Sequence, residues 1–300
     1  MSPEPRYAAR AYGLSWTSAF PLDQFEATAP NTAADVDVRL VAALPSRTPV
    51  AQVRAGAVYS DGTRFPWYSQ ATFDMRGGDW IDILPGPAWS GVLPHAFYGT
   101  VVAQLLAWRG LIPMHGCAVA IDGRAILILG DAGAGKSSLT AGLIAQGAVL
   151  VSDDLSALVF DPVSEGGATL LPGRTTIRLD PIVADWIAGE RLELPVRETR
   201  GKIVVRPTAR GGGAALPLAG VIALGLDAAA TAPLARAAFL SRQLFRPVWM
   251  AALPHHAERQ RALLTLAATL PVRGFPAVAG GGEAVHADRA RTVLAVARTL

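Results

Sequence analysis

The stretch Gly130-Asp131-Ala132-Gly133-Ala134-Gly135-Lys136-Ser137 decides how this chain is read. It meets all four constrained positions of the pattern Gly-x-x-x-x-Gly-Lys-Ser. Its context fits as well. The apolar run 124–129 before it reads as a strand, and residues 137–146 after it read as a helix with Gly147 as the C-terminal cap. Successive backbone N–H groups at a helix N-terminus form an anion cradle, and glycines let the chain close around phosphate oxygens. The pattern implies a phosphate-binding loop. Gly130, Asp131, Ala132, Gly133, Ala134, Gly135, Lys136, Ser137 and Ser138 would hold the phosphates of a nucleoside triphosphate. Lys136 would reach the β- and γ-phosphates, and the Ser137 hydroxyl would bind Mg²⁺.

Outward from the loop, residues 117–121 and 124–129 are apolar runs joined by Asp122-Gly123, a strong hairpin signal. After the helix, residues 148–152 read as a short buried strand ending in Asp153-Asp154. A strand–helix–strand crossover brings the chain back parallel, so both acids fall at the same end of the sheet as the loop. A metal-bound phosphoryl site needs a carboxylate ligand, and a kinase needs a base for the accepting hydroxyl. Two adjacent acids can divide these tasks if the chain bends between them, since successive strand side chains face opposite ways. The plainer alternative is one metal carboxylate and one capping or solvated acid.

Met114-His115-Gly116, the loop itself, Gln146-Gly147 and Ser152-Asp153-Asp154 together resemble the catalytic domain of the HPr kinase/phosphorylase family. The resemblance covers residues 114–154. Ala132 stands where that family usually has a small hydroxyl residue, and its Arg-Gly-Leu-Gly signature region is missing. The resemblance implies an α/β P-loop kinase domain with a PEP-carboxykinase/HPr-kinase-like mixed sheet. It also implies Asp153 as general base, Asp154 as magnesium ligand and His115 near the phosphates. The layout is similar to stand-alone HPr-kinase-like proteins with a β-rich N-terminal domain, some of which phosphorylate a serine of a lasso-peptide precursor. The expected reaction is γ-phosphoryl transfer from ATP to a hydroxyl, on a serine of a peptide or protein. A P-loop ATPase or nucleotide switch, a non-catalytic nucleotide sensor and a small-metabolite kinase are the alternatives.

The rest of the chain sets bounds. Three hundred residues suggest about two domains. Residues 1–95 read as a smaller β-rich N-terminal domain, and residues 96–300 as the catalytic domain. In the first, Asp35-Val36-Asp37-Val38-Arg39-Leu40 alternates as a strand does, 53–59 reads as a strand running into a turn at 60–63, and 72–75 with 80–84 reads as a hairpin. Residues 94–110 read as a helix. Further on, 162–173 reads as loop, 179–188 as a short helix, 203–205 and 220–225 as strands, 211–213 as a mobile glycine loop, and 257–270 and 288–299 as helices. Hydrophobic residues make up 51% and charged residues 17%, which excludes wholesale disorder.

A net charge of +3 without a dense basic run gives no support for a nucleic-acid partner. No apolar run reaches the ~18 residues of a membrane helix. The single cysteine, Cys117, excludes an internal disulfide and suits a cytoplasmic protein; it reads as a core residue rather than a nucleophile. A homo-oligomer is compatible with everything here. Asn31 is the sole asparagine, so the guanine-reading Asn-Lys-x-Asp motif is excluded. Against twenty-five arginines there are two lysines, Lys136 and Lys202, and lysine is a compact point charge where arginine is a wide fork. Lys202 reads as an exposed structural lysine or a second phosphate contact. Arg174, Arg178, Arg206 and Arg246 are candidates for stabilising transition-state charge.

Overall fold

Successive residues of the strand that leads into the glycine-rich loop point into different cores. In the computed structural model, Ala125, Leu127 and Leu129 join one buried cluster, while Ile126 and Ile128 join another. A strand apolar at every position must be covered on both faces, and the architecture follows from that. The structure describes residues 6–29, 34–163, 167–195, 201–211, 213–227, 232–277 and 282–300.

The first third of the chain is mainly β-structure among its described residues. Strands β1 (Tyr7–Ala11), β2 (Leu14–Ser18), β3 (Glu26–Ala27), β4 (Val36–Leu40), β5 (Ala51–Val53), β6 (Gly56–Tyr59), β7 (Gly62–Trp67), β8 (Ala71–Arg76) and β9 (Trp80–Pro85) form one sheet in the order β3-β1-β2-β4-β9-β8-β7-β6-β5. The expected single strand over 53–59 is instead a hairpin. Arg54 takes a left-handed φ of 54° and turns the chain between β5 and β6. Residues Phe97–Val101 then form a π-helical turn that continues into α1 (Val102–Trp108), all of it buried except Trp108, which is half-buried.

The second sheet is mixed. Strands β10 (Ile112–Met114), β11 (Gly116–Ile121), β12 (Arg124–Gly130), β13 (Val149–Ser152), β14 (Ser156–Phe160), β15 (Ala168–Leu171), β19 (Leu216–Leu224) and β20 (Val272–Phe275) build it, in the order β10-β14-β15-β19-β12-β11-β13, with β20 beside β19. Helix α2 (Lys136–Ala145) joins β12 to β13. β11 is antiparallel to both, so β12 and β13 run parallel with β11 between them. Both therefore end on the same side of the sheet. Asp122 and Gly123, at φ 51° and 80°, make the tight turn the hairpin needs. β15 lies within the stretch expected to be loop. There, Leu170 and Ala168 bury completely against β14 and β19, a tertiary reward that local composition does not announce.

A small third sheet, β16-β18-β17, comes from β16 (Ile177–Leu179), β17 (Gly189–Leu192) and β18 (Ile203–Pro207). The helix expected over 179–188 is confined to α3 (Pro181–Ala184). Helices α4 (Pro233–Arg242), α5 (Pro247–Ala252), α6 (His256–Thr269) and α7 (Glu283–Ala297) complete the described chain. Of the expected glycine loop 211–213, Gly212 lies outside the described residues.

The largest buried cluster joins Trp16, Phe73 and Ile81 of the first sheet to Phe97 and Leu105, and these to Leu127 and Val221 of the second. The opposite face of the second sheet is covered by Leu139 and Leu143 of α2 and Ala290 and Val293 of α7. No helix among the described residues is long and apolar enough to cross a membrane.

Candidate active site

Gly130 ends β12 hard against β19: a Cβ there would stand 2.8 Å from the Leu224 carbonyl oxygen. Gly133 and Gly135 take left-handed φ values of 81° and 89°, and a Cβ on Gly133 would meet open space. The loop therefore turns tightly while one side of its backbone stays uncovered, as an anion cradle requires. Lys136, the first residue of α2, is only 8% exposed. Its Nζ donates to the carbonyls of Gly130 (2.7 Å) and Asp131 (3.2 Å). Ser137 and Ser138 sit partly exposed in the first turn.

From Lys136 a line of polar contacts runs to the end of β13. Lys136 Nζ is 3.5 Å from His115 Nε2. His115 Nδ1 is 3.1 Å from the Asp154 carbonyl and 3.4 Å from its Oδ1. An ammonium donating to Nε2 fixes the tautomer with the proton on Nδ1, which then donates to Asp154. Asp154 Oδ2 in turn faces His95 Nε2 at 3.4 Å and Arg174 Nη2 at 3.5 Å. The chain bends between the two acids as expected, because Asp154 takes a φ of 65°.

Asp153, 2% exposed, has a different set of partners. Its Oδ1 accepts from Cys117 Sγ at 3.0 Å, and its Oδ2 from the Arg178 backbone N–H at 3.0 Å. The two carboxylates are thus neighbours in sequence with separate environments.

Electrostatics follow from burial and these partners. Burial opposes ionisation of Asp154, but the His95 hydrogen bond and the charge of Arg174 outweigh it and hold the carboxyl below the usual range. Burial and the adjacent Asp153 charge push the Cys117 thiol up, so it stays protonated and donates. His95 and His115 are both pushed down, chiefly by burial, against the raising effect of Asp154; Arg174 and Arg178 add to the lowering at His95, and Lys136 at His115.

Both histidines are therefore neutral in the folded protein where the unfolded chain, with a histidine pKa of about 6.5, takes up protons. The sign is that of a depressed base. Stability is intact above about pH 6.5 and falls as pH drops from there toward the folded-state values. Urea unfolding at pH 7.5 and 5.5 should show this fall, and His95→Gln should flatten part of it. An equal slope in that variant would remove His95 from the account.

The sequence did not single out His95 or Gln243. Gln243, buried at the end of α4, accepts from Gly130 N–H with Oε1 (3.3 Å) and donates to Asp131 Oδ1 with Nε2 (3.2 Å). Its carbonyl accepts from His115 N–H at 2.7 Å. One side chain thus clamps the loop while its backbone holds His115, whose ring also meets Phe245 edge-on. Gly99 in the π-helical turn lies beside the acid: a Cβ there would stand tight against the Phe245 ring at 3.1 Å and in ordinary contact with Arg174 Nη2 (3.4 Å) and Asp154 Oδ2 (3.7 Å).

Of the four candidate arginines, Arg174 and Arg178 lie at the acid pair. Arg206 instead binds Glu190 and the Asp23 carbonyl, and Arg246 is exposed at the start of α5. Lys202 faces Asp180 at 3.7 Å on the surface. No group of three or more metal-ligating His, Cys, Asp or Glu occurs among the described residues. Mg²⁺ does not demand one, since it binds through one or two protein oxygens and completes its shell with water and phosphate. The hard oxygens of Ser137 and Asp154 are of the type it takes.

Fold and site together define a mixed α/β protein with a glycine-rich, lysine-capped loop beside a cluster of acids, histidines and arginines. No protein-family model and no curated protein matches the chain. Among solved structures, the HPr(Ser) kinase/phosphatase from Coxiella burnetii is similar over 37% of this chain and 64% of that one, at 22% identity and a TM-score of 0.26. The chain spans less than two thirds of that structure's length. At this identity and TM-score, the likeness establishes neither a shared activity nor a shared substrate.

Proposed function

We propose that the chain is an ATP-dependent kinase that transfers the γ-phosphoryl group to a hydroxyl, on a serine of a peptide or protein. The observation that carries this reading is the contact line Lys136–His115–Asp154, which joins a glycine-rich loop to an acid pair at the same end of one sheet. Residues 96–300 would be the catalytic domain and residues 1–95 a domain that presents the acceptor. A lasso-peptide precursor is one acceptor that the sequence resemblance implies.

Loop N–H groups would hold the donor's phosphates, with Lys136 turning from the Gly130 and Asp131 carbonyls onto them. Magnesium, held by Ser137 and Asp154, would neutralise phosphate charge. The acceptor oxygen attacks the γ-phosphorus and the bond to the β-phosphate oxygen breaks, releasing ADP. The hydroxyl proton passes to Asp153. Cys117 and the Arg178 N–H fix the orientation of that carboxylate. Such catalysis is mainly positioning and charge neutralisation.

The test is ATP consumption with and without a serine-bearing peptide, with mass spectrometry of the peptide. Wild type should add one phosphate to the peptide, and Asp153→Asn should lower that transfer by about 10²–10⁴-fold, the usual worth of a general base. ATP hydrolysis indifferent both to peptide and to Asp153 would replace the kinase with an ATPase switch.

A further inference from the structure

Beside Asp153 lies a cavity of about 10 Å³, room for one water-sized group, with Gln24, His95, Arg174, Thr176 and Arg178 on its walls. Arg174 is 2% exposed, and its Nε is buried with no hydrogen-bond partner among the described residues. Nη1 of Arg178 is buried and unpartnered in the same way. A guanidinium cannot be deprotonated in a protein, so neither donor can be switched off. Buried charged donors left unsatisfied are costly, and native structures supply them with a partner.

The nearby carboxylates are already engaged. Asp153 accepts from Cys117 and the Arg178 backbone, and Asp154 faces both histidines and Arg174 Nη2. What remains to meet these donors is a water or an oxyanion brought by a ligand. Position separates the two ligands of the reaction. Asp154 turns Oδ1 toward His115, on the Lys136 side, and Oδ2 toward His95 and Arg174, on the cavity side. The cavity therefore lies across Asp154 from the loop, next to the proposed base.

We propose that the acceptor carries an oxyanion, a carboxylate or a phosphate, whose tip enters this cavity beside Arg174 and Arg178 and so presents the neighbouring hydroxyl to Asp153. This rests on the kinase reading and narrows its substrate class. A neutral acceptor would bring no negative charge to the two guanidiniums, so the same groups that bind the anion discriminate against its absence. The small volume admits the tip of the group rather than the body of the acceptor.

The full chain is saturated with Mg·ADP, and its histidine ring signals are followed by NMR while inorganic phosphate, and separately acetate, is added. His95 is assigned from His95→Gln. One or both anions should move His95, and which of them does so tells phosphate from carboxylate. Arg178→Gln should weaken the response about tenfold, as expected for loss of a charge-assisted contact, while Arg178→Lys keeps part of it. Arg10→Gln, on the surface, should change nothing. An immobile His95 with both anions, or a response equal in Arg178→Gln, overturns the proposal. So does movement of His115 alone, which places the anion at the loop. Absence of Mg·ADP binding in wild type would instead sink the kinase reading, and the same titrations without nucleotide still report on the arginine pair.

Discussion

Lys136→Ala is expected to lower kcat/KM for phosphoryl transfer by about 10²–10³-fold, the usual cost of removing one group preorganised toward transition-state charge, while the fold survives. The ammonium is buried beneath the loop, and both of its short contacts are to loop carbonyls. These are contacts a phosphate oxygen can replace. Lys136 begins α2 rather than sitting inside it, and alanine is the best helix former, so the helix should form unaided. Lys136→Arg should fail nearly as badly, because a planar fork does not fit a space built around a point charge. The measurements are steady-state transfer, nucleotide affinity and thermal unfolding, made together. Transfer within about threefold of wild type, less than one kcal/mol of barrier, would mean that the loop is a structural turn.

The parts of this site that were legible in the sequence are those encoded over short distances. Asp122-Gly123 announces a hairpin because the turn needs two left-handed residues in a row, and both are found there. The loop announces itself through glycines that leave no room for a side chain or take positive φ. The position of Asp153 and Asp154 followed from chain direction alone, and an intervening antiparallel β11 did not disturb it. His95 and Gln243 were not legible, for a physical reason. Each reaches the site from the edge of a helical segment distant in sequence, His95 just before the π-helical turn and Gln243 just after α4, and each has the local signature of an ordinary polar residue. What makes them part of the site is what they touch: Asp154 in one case, Gly130 and Asp131 in the other. The break at Arg54 is not legible because a strand-like apolar run conceals a turn made by a single left-handed residue. Arg174 could be named but not chosen from the sequence. Burial separates it from Arg246, and burial is a property of the assembled chain.

Asp154→Asn should cost both stability and activity, and the two losses can be separated. Asparagine keeps the size of the side chain and tolerates the left-handed backbone at this position, so the change removes charge without adding strain. Arg174 then sits almost fully buried without its carboxylate, and breaking such a pair costs about 3–5 kcal/mol. The full value is not expected, because the Asp154 side chain keeps 18% of its exposure and water can approach. Since the folded-state pKa of Asp154 is depressed, its contribution is complete above the unfolded carboxylate value of about 3.9 and is lost only as pH falls below that. The carboxylate's own contribution is therefore the same at pH 7 as at pH 5, but Asp154 also raises both histidines, so the deficit of the variant should be constant above about pH 6.5 and grow as pH falls to 5. Arg174→Met in the Asp154→Asn background removes the stranded charge. Stability should recover in part, and a double-mutant cycle reads the coupling directly. Phosphoryl transfer should not recover, because Asp154 is proposed to hold the metal and Arg174 to bind the acceptor, tasks methionine cannot perform. Recovery of both would make the Asp154–Arg174 pair a strut of the fold. Recovery of stability alone separates what holds this corner together from what the corner does.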